Sequence, residues 1–166
     1  MPITNEQKYH GAVFRGLIDA LEEFSEDCYY RFSPTNESRS GYILEITNTI
    51  RVIKLGLYVK HSSKRRTPWR FTFQYLHQVE IDVLKDECDE VFVILIAGDD
   101  GIACVKFQEL KALLDENFEE TEWISLSRKP NSSYRISGKD GSLDTPLQMK
   151  SFPESIKNCI NLKIKN

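Results

Sequence analysis

The chain has 166 residues, of which 40% are hydrophobic and 28% charged, with a formal net charge of −3. That is enough for one ordinary globular domain and is not the composition of a disordered or fibrous protein. No stretch reaches the roughly 20 apolar residues of a membrane span. The first ten residues contain no apolar run, so the expectation is a cytoplasmic chain with no secretory leader and no membrane partner. Cys28, Cys88, Cys104 and Cys159 show no C-x-x-C spacing, and His10, His61 and His77 show no i, i+4 pair. Zinc-ribbon, thioredoxin-type and helical zinc chemistry therefore lack support, and the thiols are expected to be reduced and mostly buried. Neither a glycine loop for nucleotide phosphates nor a G-x-S-x-G elbow is present.

Along the chain, Val13, Phe14, Leu17, Ile18, Leu21 and Phe24 fall at helical spacing, predicting an amphipathic helix over 10–24. The aromatic run 28–32 reads as a short strand and Ser33–Ser38 as a turn cluster. Segments 41–47 and 50–60, rich in β-branched and aromatic residues, predict two strands joined as a hairpin at Thr47-Asn48-Thr49. A polar loop over 62–68 leads to a strand over 69–73. A second helix follows over 75–86, with Leu76, Val79 and Val83 on its apolar face and Leu84 near it. Residues 90–97 are almost continuously apolar, the pattern of a central strand covered on both faces. Gly98-Asp99-Asp100-Gly101 is a turn into a strand over 102–106. A helix is expected over 107–118, then a terminal pair of strands over 122–128 and 133–137, a turn at 139–141, and an irregular end with a short helix near 155–160. The expectation is an α/β or α+β single domain over 1–166: a mixed sheet flanked by helices, with a core over 10–128 and a C-terminal extension over 129–166.

Charge is strongly segregated. Residues 46–79 hold seven basic residues and no acid, whereas residues 80–122 hold three basic and fourteen acidic residues. At the centre of the basic stretch lie Lys60, Lys64, Arg65, Arg66, Trp69 and Arg70. Guanidinium and ammonium groups beside an indole suit a phosphate backbone and an unpaired base, which makes these six the candidate DNA or RNA contacts. The same segment also reads as a solvated loop that neutralises the acidic region after it. Glu116, Glu119, Glu120 and Glu122 read as a solvated acidic face, and the Asp99-Asp100 pair as an ordinary hairpin turn.

Gly56-Leu57-Tyr58-Val59-Lys60, with Glu45 on the preceding strand and the element order above, resembles the PD-(D/E)xK, restriction-endonuclease-like nuclease superfamily over roughly residues 10–115. The resemblance implies a nuclease-like core, with Lys60 as the motif lysine and Glu45 as the first acid. It also implies Mg²⁺ as cofactor if the chain is a nuclease. Tyr58 stands where the family carries its second acid, and a phenol is a poor magnesium ligand at neutral pH. Glu22, Glu23 and Glu80 are helical acids that could replace it. The expectation is thus a nucleic-acid-binding protein with an incomplete nuclease site. The alternatives are an active nuclease with a displaced acid, and an interaction module that meets a protein partner or a second copy through complementary patches.

Overall fold

The structure is a computed structural model that describes residues 1–36 and 38–165. Glu37, part of the expected turn, lies outside the described residues. Helix α1 spans Asn5–Leu21 and continues as a single 3₁₀ turn, Glu22–Phe24. It starts earlier than its apolar periodicity, because Thr4 and Gln7 form a reciprocal capping box that satisfies the free amides of the first turn. Strands β1 (Tyr29–Pro34), β2 (Gly41–Thr47) and β3 (Val52–Ser62) follow as an antiparallel meander. The β2–β3 turn is closed by Asn48, whose Oδ1 accepts the amides of Ile50 and Arg51 at 2.9 and 2.8 Å.

Strand β4 (Trp69–Gln74) leads into α2 (Tyr75–Glu87), and β5 (Glu90–Ala97) then pairs parallel with β3. A tight turn carries β5 into the antiparallel β6 (Gly101–Lys106). Gly98 holds this turn at φ +54°, and a Cβ there would stand 2.5 Å from the Lys64 carbonyl oxygen, so both backbone and neighbour require glycine. The order β1-β2-β3-β5-β6 is the expected mixed sheet, and helices cover both its faces.

The remaining strands do not join it. β4 pairs with β7 (Thr121–Ser127), β8 (Arg135–Gly138) and β9 (Gly141–Ser142) in a second, antiparallel sheet. The short helix α3 (Phe107–Leu113) precedes β7, ending five residues before the sequence pattern suggests. Alternation explains the arrangement. Trp69, Phe71 and Phe73 point inward and meet Ile124, Leu126 and Ile136, together with one face of the first sheet. The opposite face of that sheet is sealed by α1 and by α4 (Ser151–Lys165). Ile156 and Ile160 bury α4 against β6 and α1, so the C-terminal extension is a structural layer rather than an appendage. Every residue of β5 after Glu90 is buried, as a strand with two covered faces requires.

On α2 the sequence reading of the buried face is corrected. Leu76 is 60% exposed, and Gln78, Ile81 and Leu84 are the residues turned inward. The helix is set by Ile81 and Leu84 packing over Gly56 and Val91, and this turns Leu76 outward. Among the described residues no helix is long and apolar enough to cross a membrane.

Candidate nucleic-acid interface and the Tyr58–Lys60 site

Tyr58 and Lys60 alternate along β3, so both side chains leave the sheet on the face covered by α2. Tyr58 is buried, and its hydroxyl donates a 2.6 Å hydrogen bond to Glu80 Oε2. Burial, then the bond to Glu80, push the phenol far above its ordinary range, while the hydroxyls of Ser38 and Ser40 pull it down. Lys60 is half-buried. Its Nζ lies 5.2 Å from the centre of the Phe73 ring and donates to His77 Nδ1 at 3.2 Å. Nδ1 also accepts the Gln74 amide at 3.1 Å, so it carries the lone pair and the neutral ring is protonated at Nε2. Burial lowers the Lys60 ammonium to about 8, with Glu80 opposing. Burial, then the Lys60 charge, lower His77 as well.

A cleft of about 180 Å³ opens beside Tyr58, between the β1–β2 loop and α2, with Thr35, Ser38, Glu80 and Glu87 on its walls. It has room for a few waters or a small ion and falls short of the roughly 300–1,000 Å³ of a small-molecule pocket.

Of the helical acids Glu22, Glu23 and Glu80, it is Glu80 that α2 brings to Tyr58. Glu22 and Glu23 follow α1 on the opposite side of the sheet, where Glu23 binds Lys157 at 2.5 Å. Glu45 and Lys60 do not form one site. Glu45 is paired across the strands with Lys54, 3.7 Å away. Lys54 and Lys60 are six residues apart on one strand, or about 20 Å. The serines, His77 and the carboxylate of Glu80 converge through the fold. The sequence signal for the helical pair was the i, i+3 spacing of His77 and Glu80, which puts two polar residues on one face of α2.

The basic segment divides in two. Lys64, Arg65 and Arg66 are exposed on the β3–β4 loop, and Lys64 Nζ donates to the Pro68 carbonyl at 2.9 Å. Arg70 projects from the outer face of β4 and lies 4.4 Å from the ring of the half-buried Trp123. Among the described residues none of these four makes an ion pair. Trp69 is corrected as a stacking candidate: it is 2% exposed, faces the core and donates its indole N–H to the Lys64 carbonyl at 2.9 Å. Trp123, on the outer face, presents its ring beside Arg70.

The acidic features also separate. Asp99 and Asp100 form a hairpin turn, and Asp100 is consumed by Arg128 through two bonds of 2.6 and 2.7 Å and by the Tyr134 hydroxyl at 2.7 Å. Glu116, Glu119 and Glu120 are exposed, with Glu119 bound to Lys139. Glu122 does not belong to a solvated face: it sits at an inward position of β7 and is fully buried. Comparison with known proteins adds no relative, since no protein-family model, curated protein or solved structure matches the chain.

Proposed function

We propose that the chain binds nucleic acid through Lys64, Arg65, Arg66 and Arg70, on a restriction-endonuclease-like core whose nuclease site is incomplete. The observation that carries this reading is the exposed cluster of cations with no carboxylate partner among the described residues. Unpaired guanidinium groups on a loop and an adjacent strand can reach successive phosphates and release counterions. Trp123 beside Arg70 adds a flat surface for an unpaired base. The resemblance gains support from the order helix, meander, helix, strand and from the parallel β3–β5 pair. The incomplete site is supported by Glu45 standing with Lys54 rather than with Lys60.

The experiment is a salt series of anisotropy titrations with labelled single- and double-stranded DNA and RNA. Combined Lys64→Ala, Arg65→Ala and Arg66→Ala substitution should lower the slope of log affinity against log salt. The expected fall is about 0.9 per lost duplex contact, or about 0.7 on a single strand. No salt-sensitive binding by the parent, or an unchanged slope in a folded variant, overturns the reading.

One observation favours a second reading. Glu80 reaches the motif position from α2, which is where a nuclease with a displaced acid would need it.

A further inference from the structure

Glu122 points inward from β7 alongside Ile124 and Leu126 and is 0% exposed. One of its carboxylate oxygens, Oε2, accepts from the Gln78 amide of α2. The other, Oε1, is buried with no hydrogen-bond partner among the described residues. Native proteins leave few buried polar atoms unsatisfied, and for a carboxylate oxygen the cost is high.

Two more carboxylates close over it: Asp115, just beyond α3, and Asp140, in the β8–β9 turn. One oxygen from each of the three residues lies within 4.8 Å of the others. Both aspartates are tied to the backbone. The Asp140 amide donates to the Leu113 carbonyl at 3.1 Å, the Asp115 amide to Asp140 Oδ2 at 3.1 Å, and the Asn117 amide to Asp115 Oδ1 at 2.9 Å. Among the described residues no lysine, arginine or histidine makes an ion pair with any of the three. Burial raises Glu122 most, and Asp140 and Asp115 add to that rise, while Gln78 opposes it.

Three carboxylates this close favour a cation or a shared proton at their centre. The donors are all hard oxygens, with no nitrogen or sulfur, which suits Ca²⁺, Mg²⁺ or Mn²⁺ rather than Zn²⁺ or Cu²⁺. Mg²⁺ demands near-ideal octahedral geometry and is usually held by one or two carboxylates, whereas Ca²⁺ accepts more carboxylates in a flexible shell. Three carboxylates with oxygens within 4.8 Å of one another therefore suit Ca²⁺ better. Asp115 and Asp140 are exposed, so water can complete the shell.

We propose that Asp115, Glu122 and Asp140 bind a divalent cation of the Ca²⁺ class, which clips the end of α3 and the β8–β9 turn to the first residues of β7. The site is separate from the nucleic-acid reading and does not rest on it.

The test uses the full chain, stripped with EDTA and titrated with CaCl₂ or MgCl₂ by calorimetry and thermal unfolding. Ca²⁺ should bind saturably with one ion per chain and more tightly than Mg²⁺. At a free concentration 100-fold above Kd it should lower the unfolding equilibrium constant about 100-fold. Asp115→Asn and Asp140→Asn, both at exposed positions, should abolish the saturable heat and the shift in Tm while circular dichroism stays native. They carry the test even if Glu122→Gln fails to fold. No saturable Ca²⁺ binding by the parent overturns the proposal, as does an equal shift in the parent and both variants. It is also overturned if cations have no effect while stability falls as the pH rises from the carboxylate range, with that fall lost in Asp140→Asn. A shared proton would then fill the place of the ion.

Discussion

Tyr58 and Glu80, twenty-two residues apart in the chain, are joined by a 2.6 Å hydrogen bond from phenol to carboxylate. The bond ties α2 to the strand that carries Lys60. It also commits Glu80, the one of the three candidate helical acids that reaches this position, to holding a phenol rather than to an open ligand site. Replacing Tyr58 with Phe keeps the ring packed and removes the donor alone. A hydrogen bond to a charged group contributes about 1.5–3 kcal/mol, so Tyr58→Phe should lose stability of that order in urea unfolding at neutral pH. A loss under about 0.5 kcal/mol would show that the bond adds nothing to the packing of α2.

Lys60 supplies a pH signature. Burial, its first cause, brings its folded value down to about 8 from the usual 10.5. Between those values the unfolded chain holds the proton more tightly than the folded one, so this group makes stability rise with pH through that window. Below about pH 8 the cost of keeping the buried charge is present in full. Lys60→Met preserves the stem and deletes the ammonium. The variant's advantage over the parent should be greatest below pH 8 and shrink as the pH approaches 10.5. A difference that does not change with pH in parallel denaturant series would mean that Lys60 is not desolvated.

Much of the fold was legible because period and burial agree. The run Val91–Ile96 could only be a strand covered twice, and Asn48 marks its own hairpin. The second sheet was not legible, since Trp69–Gln74 alternates as any strand would and nothing local says which partner it takes. Helix α4 was read too short because Pro153 and scattered lysines interrupt its apolar spacing, while its burial comes from α1 and β6. At the site, Lys60 and the exposed arginines were visible as residue types. Glu80 was one of three helical acids, and only the side of the sheet each helix covers separates them. Trp69 and Trp123 were indistinguishable by sequence, and strand register sends one inward and the other out.

The Asp100–Arg128 clamp joins the β5–β6 turn to the end of β7 with two short bonds, and Tyr134 adds a third. Both charged side chains are mostly shielded, at 21% and 14% exposure. Arg128→Ala leaves the carboxylate without its cation and should cost about 2–4 kcal/mol, somewhat less than a fully buried pair. Arg128, the first cause, holds Asp100 below its usual 3.8. The clamp's contribution is therefore complete above that pH and is lost as the pH falls below it. The gap between parent and variant should close in acid, and a gap that persists when Asp100 is protonated would place the loss in packing instead.

Ile94 is 0% exposed in the middle of β5. Ile94→Ala removes the transfer energy of its missing carbons and leaves a cavity, together about 2–5 kcal/mol. A loss below about 1 kcal/mol in denaturant unfolding would contradict a strand covered on both faces.

The last prediction concerns cleavage. A metal-dependent nuclease uses carboxylates to hold its cation where phosphate oxygen and attacking water meet. Glu45 is paired with Lys54 about 20 Å along the sheet from Lys60, and Tyr58, a phenol, is the residue on the same face of β3 next to Lys60. Glu80 is the carboxylate that α2 brings to Tyr58, and it already accepts that hydroxyl. The Lys60 charge beside it further disfavours a divalent cation while attracting phosphate, so binding and cleavage should come apart. The expected outcome is no efficient cleavage of single- or double-stranded DNA or RNA in millimolar Mg²⁺ or Mn²⁺, under salt conditions where the same substrates bind. Glu45→Ala should leave any trace activity untouched, because that residue is remote from Lys60. Cleavage by the parent that disappears in both Glu80→Ala and Lys60→Ala, with folding retained, would overturn the incomplete-site reading and establish Glu80 as the displaced acid.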